Sequence, residues 1–236
     1  MNGLRMIFGL FTIIPMGRFS FDEATYQRWL WALVPVGLML SAAGWLVSQL
    51  PIDQPLRGIL ILLSYVLLTG AIHLDALGDA FDGLLSRRDR SRTLEIMRDP
   101  HLGSFGLLGL VFYLLLMAAC LIMASDPFVF LFPLIGRLMA FVVCWRKTPA
   151  RSDGLGRVFI EGAQPIIGWL GLANVVFIAI FFHRPLVALA VFISLAFGLL
   201  SERRIDRRLG GMTGDTIGCL IELSQLSYLL VLSVGA

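Results

Sequence analysis

The sequence predicts an all-α polytopic integral membrane protein, and three observations carry that class. Of its 236 residues, 58% are hydrophobic and only 15% charged. The mean hydropathy is +0.85, too apolar for a soluble globular domain. About seven stretches are long enough to cross a bilayer, and the basic residues between them fall almost entirely on one side.

The expected spans cover roughly 29–50, 57–77, 104–124, 127–145, 166–182, 185–200 and 216–234, the sixth being the shortest. Ahead of them, residues 4–16 are apolar but too short to span, and Gly9 and Pro15 interrupt the run. No A-x-A-like cleavage site follows it, so it reads as a retained interfacial or re-entrant segment. Of the 19 Lys and Arg residues, 16 lie in the N-terminal segment or in the loops after spans two, four and six. Arg57 and Arg184 lie on the opposite side, and Arg137 falls inside span four. By the positive-inside rule the N-terminus is cytoplasmic and the C-terminus outside.

The net charge of +3 therefore reports topology and anionic headgroups, and no nucleic-acid-binding module is visible. Cys120, Cys144 and Cys219 sit in apolar spans without metal-type spacing, which makes them small core residues. No repeat of about 20 to 50 residues is evident, and 1–236 reads as one domain. The external connections are minimal, whereas the cytoplasmic ones are long and polar. Chemistry belongs on the cytoplasmic face.

At the end of span two the chain reads HLDALGDAFDGL, and Asp75, Asp79 and Asp82 fall at helical offsets that put them on one face. Carboxylates stacked beside hydrocarbon are costly unless a cation neutralises them, and oxygen ligands point to Mg2+ or Mn2+. In the next loop Asp89 can cap a short amphipathic helix through Leu94, Ile96 and Met97 that stops before Pro100. MRDPHLGSFG then supplies Asp99, able to complete the metal site or orient a nucleophile, and Arg98, a bidentate fork for phosphate.

The segment GGMTGDTIGCLIE leads a Gly-rich turn into the last span. Backbone N–H groups at such a turn, Gly214 among them, suit an anion. Asp215 and Glu222 share a helix face, and an acid inside a span is functional by default. Arg137 is too deep to snorkel and needs an acidic or phosphate partner, while Arg151 in TPARSDGLG is a second phosphate contact. His73 lies off the carboxylate face and reads as a packed or hydrogen-bonding residue. Carboxylates facing arginines and a Gly-rich helix start make a site for a metal-bound polyphosphate.

In this order, with PLIGRL and an N-terminal FTIIP, the motifs resemble the cobalamin synthase family, the adenosylcobinamide-GDP ribazoletransferases, over about the whole chain. The resemblance implies a bacterial inner-membrane enzyme that joins adenosylcobinamide-GDP to α-ribazole or its 5′-phosphate, releases GMP and requires Mg2+. It implies Asp75, Asp79, Asp82 and Asp99 as the acidic metal-site positions, and Gly214, Asp215 and Glu222 as the Gly-rich acidic motif. On that reading Arg98, Arg137 or Arg151 offsets the diphosphate charge. A ribose hydroxyl attacks phosphorus with Asp82 as leading base, ahead of Asp79 and Asp99. Relatives often have D-G-L-A-D-x-x-D-G where this chain exchanges the small residues as Ala76 and Gly78.

Two other readings compete. The opening from Asp79 to Arg87 approaches the D-x-x-D-G-x-x-A-R of CDP-alcohol phosphotransferases, but Ser86 replaces the Ala and Ile96 stands where their next Gly falls. A cation-coupled transporter would place acids near the midplane, reachable from both sides. The number of chains that assemble, a homo-oligomer included, is left open by the sequence.

Overall fold

The computed structural model describes residues 2–234, and every regular element among them is helical. An amphipathic helix, α1 (Asn2–Phe11), precedes α2 (Glu23–Trp29), which a 3-10 turn joins to α3 (Leu33–Ser48). Then follow α4 (Leu56–Thr69), α5 (Ile72–Leu85), α6 (Arg90–Ile96), α7 (Ser104–Met123), α8 (Phe132–Val143), α9 (Gly154–Gly162), α10 (Pro165–Phe181), α11 (Pro185–Leu209) and α12 (Gly214–Val234). The all-α class and the multi-pass membrane architecture expected from the sequence are found.

The spans differ from the expected seven. Four continuous helices are long and apolar enough to cross: Glu23–Ser48, α7, α11 and α12. Two bent pairs bring the number to six, α4 with α5 at 90° and α9 with α10 at 75°. The expected span 57–77 breaks because Gly70 and Ala71 both adopt left-handed conformations, φ 59° and 57°, which no right-handed helix can continue. His73 to Leu77 consequently belong to the aspartate helix. The fourth expected span shrinks to α8, preceded by a 3-10 turn. The sixth, expected to be shortest, is a single unbroken α-helix of 25 residues. Its charged end stays helical because Lys147 forms ion pairs with Glu202 and, at 3.0 Å, with Asp206.

Every residue of α8 is buried. Glycines let its neighbours come that close: a Cβ on Gly37 would lie 2.9 Å from Leu134 Cα, and one on Gly168 would lie 2.5 Å from the Leu138 carbonyl. The outer helices α7 and α10 instead expose Phe112 and Phe177, the apolar exterior that lipid covers. At the partner face, a Cβ on Gly218 of α12 would stand 2.6 Å from the Ala76 methyl of α5. Gly218→Val is therefore expected to destabilise the bundle by about 1–3 kcal/mol through overpacking. A lowered thermal midpoint in detergent is the check.

Two polar connecting segments are stitched together before the site begins. Ala150 N donates to the Met212 carbonyl at 2.8 Å, and Met212 N to the Thr148 carbonyl at 3.0 Å. Arg90 crosses from α6 to donate to the Leu209 carbonyl at 2.5 Å and the Ala150 carbonyl at 3.2 Å. The Asp89 cap expected for α6 is present, accepting from Arg92 N at 2.9 Å. This stitching fixes Arg151 beside the first turn of α12.

Candidate active site

A cavity of about 620 Å³ opens between α5 and α12, with α1, α3 and α9 completing its walls. Asp75, Arg98, Arg151, Asp153, Arg157 and Asp215 stand along it, toward its exposed end. His73 and Arg137, both buried, line it at depth. Apolar walls come from Leu10, Phe11, Leu33, Phe159 and Ile221. The N-terminal segment thus contributes directly: α1 buries Met6 and Ile7 and turns its last two residues toward the cavity.

Two helix N-termini meet at the rim. Ahead of α12, Thr213 and Thr216 cap each other: Thr213 N donates to Thr216 Oγ1 at 2.8 Å, and Thr216 N donates to Thr213 Oγ1 at 3.2 Å. Asp153 precedes α9 but does not cap it, accepting instead from Arg98 Nη2 at 2.5 Å. The two starts touch, since a Cβ on Gly156 would lie 2.3 Å from Gly214 N. Arg157 is shared between Glu23 at 2.5 Å and Glu161 at 2.7 Å, so an anion here meets converging positive helix ends and three arginines that each already hold a carboxylate.

The carboxylates divide into two kinds. Asp75 is exposed and Asp79 half-buried, and among the described residues neither has a hydrogen-bond or ion-pair partner. Asp79 lies within the electrostatic reach of Asp75, Asp215 and Asp82, opposed by Arg151. Asp215 is held by Arg151 Nη1 at 2.9 Å, while Arg151 Nη2 reaches the Leu94 carbonyl at 2.9 Å. Asp82, by contrast, accepts from Gly103 N at 2.7 Å and Gly106 N at 2.9 Å. It is buried and acts as an N-cap for α7 supplied from another helix.

This constellation can now be set beside known proteins. The family model of cobalamin-5-phosphate synthase matches residues 3–233. The chain belongs to that family. An adenosylcobinamide-GDP ribazoletransferase of Alkaliphilus oremlandii is 31% identical over 98% of this chain and 96% of its own length. Those of Citrobacter koseri, 37% identical over 89% of this chain and 90% of theirs, and of Desulfitobacterium hafniense, 40% over 89% and 86%, carry the same name. No solved structure matches the chain significantly.

In this cobalamin-5-phosphate synthase family member the expected site is gathered only in part. Asp75, Arg98, Arg137, Arg151, Gly214 and Asp215 line one cavity. Among the described residues no three His, Cys, Asp or Glu side chains form a ready-made metal cage, so the four-aspartate set does not assemble as such. Asp82 is withdrawn because its oxygens serve α7. Asp99 is withdrawn because it sits exposed on the loop, bound to the His101 backbone N–H at 3.0 Å and to its ring nitrogen at 2.6 Å. The His101 backbone N–H and ring hold the Asp99 carboxyl below the usual carboxylate range.

Arg137 finds uncharged direct partners: Tyr65 Oη at 3.2 Å, the Pro133 carbonyl at 3.3 Å and Gln225 Oε1 at 3.5 Å. Glu222 is buried and accepts from Tyr65 Oη at 2.6 Å and from Tyr113 Oη. Sequence reasoning missed Tyr65, Tyr113 and Gln225, although polar side chains inside apolar spans were the available signal. It also missed Asp153, and counted Arg157 only toward topology. The three cysteines are free and buried, as expected.

Proposed function

We propose that the cavity joins adenosylcobinamide-GDP to α-ribazole or its 5′-phosphate and releases GMP, giving adenosylcobalamin or its 5′-phosphate. The single observation that carries this reading is the rim: two touching helix N-termini and Arg98, Arg151 and Arg157 beside unpartnered Asp75. That is the arrangement a diphosphate and an incoming alcohol require. The family favours neither a CDP-alcohol phosphotransferase nor a transporter.

On this reading the diphosphate lies across the starts of α9 and α12, and the arginines offset its charge. The fixed donors hold the cobinamide-side phosphorus while a ribose hydroxyl approaches. The hydroxyl oxygen bonds to that phosphorus, the bond to the bridging oxygen breaks, and GMP departs with that oxygen. Asp79, which does not itself line the cavity, takes the hydroxyl proton: it is half-buried, free of partners and one helical turn beyond cavity-lining Asp75 on α5. Asp82 passes this role to Asp79 because its own oxygens hold α7.

Mg2+ is part of the proposal. The available donors are carboxylate oxygens, Asp75 and Asp79 with Asp215 nearby, and they form no closed cage. That suits an ion which keeps waters and binds one or two carboxylates together with substrate phosphates. When bound, Mg2+ neutralises charge on the diphosphate and on the oxygen that leaves with GMP.

The distribution of arginines supports a cytoplasmic active face in a bacterial inner membrane, with the N-terminus inside and the C-terminus outside. The named residues all come from one chain, so the proposal does not depend on oligomerisation. Purified protein in nanodiscs, given adenosylcobinamide-GDP, α-ribazole and Mg2+, is expected to release GMP. Absence of release under those conditions overturns the proposal.

A further inference from the structure

The deep end of the cavity holds polar atoms that phosphoryl transfer leaves unused. Tyr65 Oη donates to Glu222 at 2.6 Å and accepts from Arg137 at 3.2 Å and from Gln225 Nε2 at 3.0 Å. Tyr113 occupies the second Glu222 oxygen. Each Glu222 oxygen thus has a tyrosine partner. What remains is Arg137 Nε and Nη2 together with His73 Nδ1, all buried and without hydrogen-bond partners. His73 Nδ1 stands 3.7 Å from Glu222, beyond hydrogen-bond length.

Both side chains line the cavity, Arg137 with no exposure and His73 with 6%. Buried polar atoms left unpaired are costly, so these take a partner that the chain itself does not supply. Charge narrows the ligand. Glu222 already balances Arg137 through Tyr65, and the diphosphate has its own cations at the rim. The same cavity is lined by the apolar Leu10, Phe11, Leu33, Phe159 and Ile221, the Phe11 ring lying 6.0 Å from that of His73.

We propose that this deep end is the base-recognition subsite for the acceptor substrate. It takes a flat, mostly apolar aromatic base with one unsubstituted ring nitrogen, which accepts from Arg137 with His73 beside it. The benzimidazole part of ribazole has that chemistry. The assignment rests on the proposed transferase function and adds which substrate enters deepest and which residues read it.

The test compares α-ribazole with the isosteric indole riboside, in which a C–H replaces the free ring nitrogen. The nanodisc protein is expected to favour ribazole by roughly tenfold or more in kcat/KM, because the analogue leaves the buried donors unpaired. In the double variant Arg137→Met with Glu222→Gln, which removes both charges together, the preference is expected to fall toward unity. Leu33→Trp, which narrows the apolar wall without touching the network, is expected to raise KM for ribazole while leaving KM for the GDP-activated corrinoid unchanged.

Equal use of the two ribosides by the unmodified protein overturns the subsite while leaving the transferase reading intact. So does a rise in corrinoid KM, and not ribazole KM, in Leu33→Trp. No GMP release from ribazole itself overturns the transferase reading, and the subsite with it.

Discussion

Asp79→Asn is expected to slow GMP release by about 10²- to 10⁴-fold, the range for loss of a positioned general base. The substitution removes the charge and keeps the shape. Because Asp79 holds no hydrogen bond or ion pair that supports the fold among the described residues, the thermal midpoint is expected to stay near that of the unmodified protein. Asp82→Ala is expected to behave in the opposite way. It strips the acceptor from Gly103 N and Gly106 N, a loss worth about 1–3 kcal/mol for a cap with buried donors. Its midpoint falls, and the activity of the fraction that stays folded is largely kept. Steady-state GMP release measured beside thermal melts of both variants separates the roles. An inactive but stable Asp82→Ala would return the base to Asp82.

Arg151→Met is expected to weaken the diphosphate grip, raising KM for adenosylcobinamide-GDP by about 10- to 100-fold, as loss of one charge-assisted contact of roughly 1.5–3 kcal/mol implies. Two contacts give this arginine its weight: it ties Asp215 at 2.9 Å and the Leu94 carbonyl at 2.9 Å. Losing it frees Asp215 and adds an uncompensated negative charge where the substrate brings more. Arg151→Lys restores charge without the planar fork and is expected to recover only part of the loss. Initial rates across a range of corrinoid concentrations read both effects. An unchanged KM in Arg151→Met would move the diphosphate away from α12.

The membrane class was legible because hydropathy and the one-sided arginines are local and additive along the chain. The α6 cap was legible for the same reason, Asp89 and Arg92 being three residues apart. Breaks in the spans were harder to read. Gly70 is an ordinary helix stop, but the left-handed Ala71 that follows has no signature of its own, and together they turn α5 through 90° from α4. The length of α11 was hidden because its charged turns look like loop until Lys147, over 50 residues earlier, folds back onto Glu202 and Asp206.

The site shows the same division. Helical spacing placed Asp75, Asp79 and Asp82 on one helix, and they are there. Spacing alone did not distinguish a free carboxylate from one engaged by α7, because Gly103 and Gly106 lie more than 20 residues downstream of Asp82. Arg137 was expected to have an acidic or phosphate partner and instead meets Glu222 through Tyr65, a residue from a third helix. Such networks depend on which spans adjoin, and a single sequence does not encode adjacency in any local pattern.

The most direct measurement is a cryo-EM structure of the protein in nanodiscs with adenosylcobinamide-GDP whose bridging diphosphate oxygen is replaced by methylene. The two phosphorus atoms are expected against the N-termini of α9 and α12, within reach of Arg98, Arg151 and Arg157, with Asp75 and Asp79 on the open side. Diphosphate density beside Asp82 and Gly103, or away from the α9 and α12 starts altogether, would contradict this placement.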